Sequence, residues 1–329
     1  MIETKFLFSL LLLVLGLPMS YLPEHCQACD AATYIRLMKE QEKARQEIPK
    51  KLKEKDLLLL HSEGLSGSMQ RAAKVFTREH EGYRVFLESA ASTEQTSSTS
   101  ISADIIALTD SWPIRELLMP DSASFYVNFA RDEMVLAYGG EGRNYSLLRD
   151  ASWQQILSCE KLRFGYSDPR YDDCGVRTRL SLLLAQNEGI KVPKREKEHR
   201  YKDVTKLVGA ILHDEVDYAL IYRSVAQYHN MLISEVPSSI SLGSAEKAKD
   251  YESVELTIDR IAGDRPSIKR RGSPITCAFA ILRSASHRRA ARLFAQFLLG
   301  KRGSSALKRS GLEPIKGGRV AFSKETSIY

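Results

Sequence analysis

The sequence contains none of the short patterns that announce common chemistries. It has no G-x-S-x-G, no G-x-x-x-x-G-K-[ST], no H-E-x-x-H and no G-x-G-x-x-G. Those absences remove the nucleophile elbow, the P-loop phosphate cradle, the metalloprotease helix and the dinucleotide-binding turn. Cysteine is sparse and odd in number, five in 329 residues, so the chain is no disulfide-stapled miniprotein and cannot pair all its thiols internally. One C-x-x-C occurs, Cys26-Gln27-Ala28-Cys29, but a four-cysteine zinc site needs a second pair and none exists. The seven histidines are scattered. Basic clusters at residues 191–206 and at Lys269-Arg270-Arg271 lack interleaved aromatics, so nucleic acid is not an expected partner.

What is present is an ordinary globular composition, 43% hydrophobic and 27% charged. Length favours two lobes of roughly 100 to 150 residues each. The net charge is +7 and the pI is about 9.0; such a surplus attracts anions in general and selects none. Residues 6–22 form an uncharged apolar run behind Lys5. That length suits a signal-peptide core or a membrane anchor, because a comfortable span needs about 20 residues. Pro18 and Ser20 suit the end of a signal core. The chain therefore reads as exported, to the periplasm or the extracellular face, with cleavage and anchoring both open. Cys26 and Cys29 form a short disulfide or remain inert thiols, and lipid modification of Cys26 is the other reading. Residues 31–55 are helix-prone and basic, as in a solvated stalk near anionic headgroups. This divides the N-terminal part into residues 1–22, a signal peptide or anchor, and 23–55, a C-x-x-C segment with its stalk.

From Asp56 onward strands alternate with helices. Residues 56–61 read as a buried strand, residues 62–68 as a small-residue turn, and residues 69–79 as a helix with Met69, Ala72, Ala73 and Phe76 on one face. Further strands are expected at 83–88 and 103–108, with a Ser/Thr-rich tract at 94–102 between them. A short helix is expected around 114–118. The pattern predicts an α/β fold with largely parallel sheets. Two hydroxyl-rich turns, 62–68 and 89–93, then sit at strand C-terminal ends, where open α/β sheets place their ligands. Their Ser and Thr side chains suit an anion site and equally suit plain helix N-caps. Residues 162–167 read as another strand, followed by a turn and a helix. Asp172 and Asp173 precede that helix, where a carboxylate can cap it, bind a cation or perform acid–base work. Tyr222 closes a strand at 215–222, with its hydroxyl available or simply packed in the core. Gly139-Gly140-Glu141-Gly142 is read as a loop.

Several stretches, in order, resemble the tungstate/molybdate-binding receptors of ABC importers, the archaeal-type branch of the periplasmic oxyanion-binding proteins. They include Tyr126-Val127-Asn128-Phe129-Ala130-Arg131-Asp132-Glu133, Phe164-Gly165-Tyr166-Ser167-Asp168-Pro169 and Cys174-Gly175-Val176-Arg177. Ile221-Tyr222-Arg223-Ser224-Val225-Ala226, Ile240-Ser241-Leu242-Gly243 and Gly311-Leu312-Glu313-Pro314-Ile315 complete the set. The resemblance implies a two-lobe periplasmic-binding-protein (type II) fold with an oxyanion clamped in the cleft between lobes. By analogy lobe one is residues 56–134 plus 238–329, and lobe two is 135–237. It implies an exported solute-binding protein, not an enzyme, that captures tungstate or molybdate and passes it to an ABC permease. No cofactor beyond that ligand is implied.

The residues carried over are Ser92, Asp172 and Tyr222, with Asp172 bonding to the tungsten or molybdenum of the ligand. The family's first loop, typically Ala-Gly-Ser-Leu, is here Ser62-Glu63-Gly64-Leu65. Its serine therefore falls on Gly64, and Ser62 or Ser66 could substitute. Glu63 would repel a dianion if it faced the cleft. A second family carboxylate aligns on Val204 and so is not supplied, while Asp203 is adjacent. The alternative reading of these departures is a membrane-anchored, diverged sensor or interaction module without a transport role. An enzyme ranks third, since Asp172 and Asp173 lack a paired base, nucleophile or cofactor motif.

Overall fold

The computed structural model describes residues 48–49, 51–90, 103–193, 199–259 and 267–322. The leader, the C-x-x-C pair, most of the stalk, Ser92 and the tract at 94–102 lie outside the described residues. The described end of the stalk, residues 51–55, is a turn rather than helix. Asp56 is the physical reason: its carboxylate accepts the Lys53 amide at 2.7 Å and two bonds from Arg84, at 3.0 and 2.9 Å. A side chain bonded locally to the backbone competes with helix in this way.

Strand β1 (Asp56–Ser62) runs into a single 3-10 turn (Glu63–Leu65) and then helix α1 (Ser66–Glu79). The expected open turn at 62–68 is thus mostly wound into helix, with Ser66, Gly67 and Ser68 buried. Met69, Ala72, Ala73 and Phe76 form the buried stripe of α1, at the i, i+3, i+4, i+7 spacing that turns one helix face to a core. Strands β2 (Arg84–Ala90), β3 (Ile105–Leu108), β4 (Phe125–Arg131) and β5 (Met134–Tyr138) follow. Two short helices, α2 (Tyr145–Asp150) and α3 (Trp153–Ser158), precede β6 (Phe164–Ser167) and helix α4 (Asp173–Asn187). Next come β7 (His199–Tyr201), α5 (Val204–Leu212), β8 (Tyr218–Tyr222), α6 (Arg223–Tyr228) and β9 (Leu232–Ser234). The chain closes with α7 (Ala248–Tyr251), hairpin β10 (Glu255–Ile258) and β11 (Ile268–Arg271), β12 (Thr276–Ile281), α8 (Arg288–Leu299), α9 (Lys301–Lys308) and β13 (Glu313–Phe322).

Two main sheets result. The first has strand order β13-β4-β12-β3-β1-β2 and the second β7-β6-β8-β5-β9. Strand β1 is parallel to β2 and β3, and β6 to β7 and β8, while β12, β13 and β5 run against their neighbours. Most strands of each sheet therefore share one direction. Both faces of the first sheet are covered. Leu57 and Leu59 pack on one side with Met69, Phe76 and Phe294. Leu58 and Leu60 lie on the other, beside Ile106, Leu108 and Leu282. A strand buried on both faces needs an unbroken apolar run, which is what 57–60 supplies. The second sheet has its own core around Leu136, Phe164, Leu180, Val208 and Leu220, which also takes in Tyr251, Val254 and Ile258 from the α7–β10 segment. Among the described residues no helix is long and apolar enough to cross a membrane.

Candidate functional site

The two sheets meet where their parallel strands end. Ser62 terminates β1, and its Oγ accepts the Thr109 amide, just past β3, at 3.1 Å. Neither Ser62 nor Leu65 caps a helix with its side chain, so the N-cap alternative for this turn is not what the chain adopts. Gly64 is buried and faces Tyr222 across the cleft. A Cβ placed there would lie 2.8 Å from Thr109 Cγ2 and 2.9 Å from the Tyr222 ring, a separation that real Cβ atoms do not tolerate. One turn later, Gly67 lies under the Tyr228 ring, where a Cβ would come within 2.3 Å. The Tyr228 hydroxyl also donates to Gln70 Oε1 at 2.8 Å. Glycine at 64 lets the turn after β1 approach Thr109 and Tyr222, and glycine at 67 lets α1 approach α6.

Glu63 faces the cleft. One of its carboxylate oxygens accepts the Ser89 hydroxyl at the end of β2, and the other accepts Thr205 Oγ1, in the first turn of α5, at 2.9 Å. A carboxylate from the first sheet is thus held by one hydroxyl from each side. Asp203 caps α5, accepting the Lys206 amide at 2.9 Å. Burial pushes the Asp203 carboxyl up, and the nearby Glu63 charge adds to the shift.

Asp172 caps α4. Its Oδ1 accepts the Cys174 amide at 3.2 Å and its Oδ2 accepts the Val204 amide, at the start of α5, at 2.6 Å. One carboxylate therefore ties together two helix N-termini. Burial pushes its pKa up to about 7, against the opposing pull of the Cys174 amide. The Tyr222 hydroxyl donates to Asp173 Oδ2 at 3.0 Å, and burial, reinforced by the Asp173 charge, raises the phenol well above its ordinary value. Ser62, Gly64 and Tyr222 are therefore brought together, with Asp172 and Glu63 close by on either side of the first turn of α5. Ser66 opens α1 and is buried there, with its Oγ 3.5 Å from Gln70 Nε2.

Beneath Tyr222 lies a charged cluster that sequence reasoning missed. Asp110, after β3, accepts hydrogen bonds from both Arg177 in α4 and Arg270 in β11. Arg270 also donates to Asp173 Oδ1 at 2.9 Å, and Arg177 Nη1 donates to the Ser273 carbonyl at 2.9 Å. Arg177 is only 1% exposed. Burial alone would raise the Asp110 carboxyl, but the two guanidiniums outweigh it and hold it below the ordinary carboxylate range. Arg177 stood in the sequence only as part of a motif, and nothing local announces partners 67 and 96 positions away.

Among the described residues no group of three or more His, Cys, Asp and Glu side chains is arranged to hold a metal ion. Residues 57–313 match the family described as bacterial extracellular solute-binding protein. The chain belongs to that family. It is 29% identical over 287 residues to the molybdate/tungstate-binding protein WtpA of Thermococcus kodakarensis, covering 76% of this chain and 80% of that protein. It is likewise 29% identical over 295 residues to an uncharacterized solute-binding protein of Methanoculleus marisnigri, covering 80% and 82%. The fold matches that of the periplasmic molybdate-binding protein of Azotobacter vinelandii, with a TM-score of 0.53 at 13% identity, over 78% of this chain and 98% of the other. The sulfate-binding protein SubI of Mycobacterium tuberculosis matches at 0.53 and 12% identity, over 79% and 87%. The protein thus has the two-lobe periplasmic-binding-protein fold, and its family and fold are those of binding proteins.

Proposed function

We propose that this solute-binding protein captures a tetrahedral oxyanion, tungstate or molybdate, between its two lobes and delivers it to an ABC permease on the outer face of the membrane. The observation that carries this reading is the Glu63 carboxylate held between Ser89 and Thr205. Two hydroxyls, one from each side of the cleft, already embrace an anion. An incoming oxyanion offers the same kind of acceptor and takes over those donors when Glu63 turns out. Ser62 keeps its own O–H to donate, because its Oγ is accepting from Thr109. The names of relatives such as the Thermococcus protein support the choice of oxyanion.

The proposed binding set is Ser62, Gly64, Ser66, Ser92, Asp172 and Tyr222, with Asp172 bonding to the tungsten or molybdenum of the ligand. A bare carboxylate repels a dianion, so Asp172 belongs there only when protonated or bonded to the metal centre. Its pKa of about 7 makes the protonated form accessible. Isothermal titration with tungstate, molybdate, sulfate and phosphate tests the proposal. Tungstate and molybdate should give heat at micromolar protein, and Tyr222→Phe should weaken them. No heat with any of the four anions refutes it. Glu63 in the anion's place also favours a second reading, a diverged membrane-anchored module, which the same silent titration would support.

A further inference from the structure

A second depression lies against β4, β12, β13 and the β10–β11 hairpin. It encloses about 600 Å³, and none of Ser62, Gly64, Ser66, Asp172 or Tyr222 lines it. Its wall carries Arg115, Arg131, Lys269, Arg270, Arg271 and Arg319 against two carboxylates, Asp110 and Glu252, a surplus of four positive charges. Asp110 is committed at the floor, to Arg177 and Arg270. At the rim Glu116 holds Arg115 at 2.6 Å, and the remaining pairs are looser. Lys269 and Arg271 share Glu255 at 3.3 and 3.6 Å, and Arg131 is 3.7 Å from Glu313. Exposed pairs of this kind contribute about 0–1 kcal/mol each, so a multivalent anion displaces them readily. Arg319 has no carboxylate partner among the described residues.

The volume falls within the roughly 300–1,000 Å³ of small-molecule sites and is generous for one tetrahedral oxyanion. Guanidinium forks match phosphoryl oxygens in bidentate geometry. Each phosphoryl ester carries about −1.5 to −2 charges at neutral pH, so two such groups match the four rim cations that are loosely paired or unpaired, Arg131, Lys269, Arg271 and Arg319. We propose that this pocket binds a small organic phosphate with two phosphoryl groups, at a site separate from the interlobe cleft.

The test is calorimetric titration of the full chain with fructose bisphosphate, inorganic pyrophosphate and inorganic phosphate at low ionic strength. Fructose bisphosphate should bind in the micromolar range, at least about tenfold more tightly than inorganic phosphate, and lose affinity as salt rises. Arg131→Gln combined with Arg319→Gln should weaken it by about tenfold or more. Lys301→Gln with Lys308→Gln, the same charge change on α9, should leave it intact. Saturating tungstate should not displace the bisphosphate. No binding at millimolar ligand, equal loss in the two double variants, or displacement by tungstate would each overturn the proposal.

Discussion

Replacing Glu63 probes the cleft most directly. Were its carboxylate to stay between Ser89 and Thr205 while a dianion bound about 4 Å away, the repulsion at an effective dielectric of about 20 would be roughly 8 kcal/mol. Moving out costs less. Hydrogen bonds to a charged group contribute about 1.5–3 kcal/mol each, and Glu63 makes two of them, to Ser89 and to Thr205 at 2.9 Å. Glu63 is only half-buried, so water replaces part of that, leaving a displacement cost of about 2 kcal/mol. Displacement therefore wins over coexistence, and the cost subtracts from the affinity of every anion that enters. Glu63→Ala should tighten tungstate binding by roughly 30-fold at neutral pH. Glu63→Gln loses the charge but keeps an acceptor for Thr205, and should tighten it less. Isothermal titration of both variants against the parent measures this. Equal or weaker affinity in both would refute the reasoning and make the carboxylate part of the ligand's own binding set.

Stability should fall as pH rises from about 4 to 7. Asp132, buried at the β4–β5 crossing and bonded to Ser224, is pushed up to about 7 by desolvation, as is Asp172. The native state then holds up to two protons that the unfolded chain has released. Buried His229, lowered to about 4, offsets one of them between about pH 4 and 6.5 and leaves a net fall. Stability is full below the unfolded pKa and is lost through the folded one, at up to about 1.4 kcal/mol per pH unit for each group. The melting temperature should be higher at pH 5 than at pH 8, and Asp132→Asn should flatten the profile; a profile rising over this window contradicts the assignment. Arg177→Met leaves Asp110 and Asp173 facing only Arg270, and should cost about 3–5 kcal/mol in denaturant unfolding. A loss below about 1 kcal/mol would show that the cluster is not stabilising. Gly67→Ala drives a methyl into the Tyr228 ring and should weaken anion binding by holding α1 and α6 apart. Unchanged affinity would mean that the close approach is unnecessary.

Much of the scaffold was legible because it is written in local periodicity. The apolar run at 57–60 and the helical stripe from Met69 to Phe76 form where the residue pattern places them, and the strand expected at 215–222 ends at Tyr222 but begins only at Tyr218. The small residues at 62–68 suit an open turn in isolation, yet they wind into a 3-10 turn and the start of α1. In the folded chain Gly64 and Gly67 answer the close approach of Tyr222 and Tyr228, and that demand is invisible locally. For Asp172 the sequence left capping beside ligand chemistry. The structure shows the cap and adds a second helix, through the Val204 amide, that spacing did not suggest.

The sequence by itself therefore determined the alternation of strands and helices and which residue types stand at strand ends. Burial patterns of period two and 3.6 are properties of neighbouring residues, and they survive in one dimension. Only the tertiary structure decided where the charges go. It turned Glu63 between Ser89 and Thr205, gathered Asp110, Arg177, Arg270 and Asp173 under Tyr222, and ringed a second pocket with arginines from four separate segments. Coulombic and hydrogen-bond partners are chosen by distance in space, across separations of 26 to 160 residues. No pattern along the chain encodes those distances until two sheets bring their strand ends together.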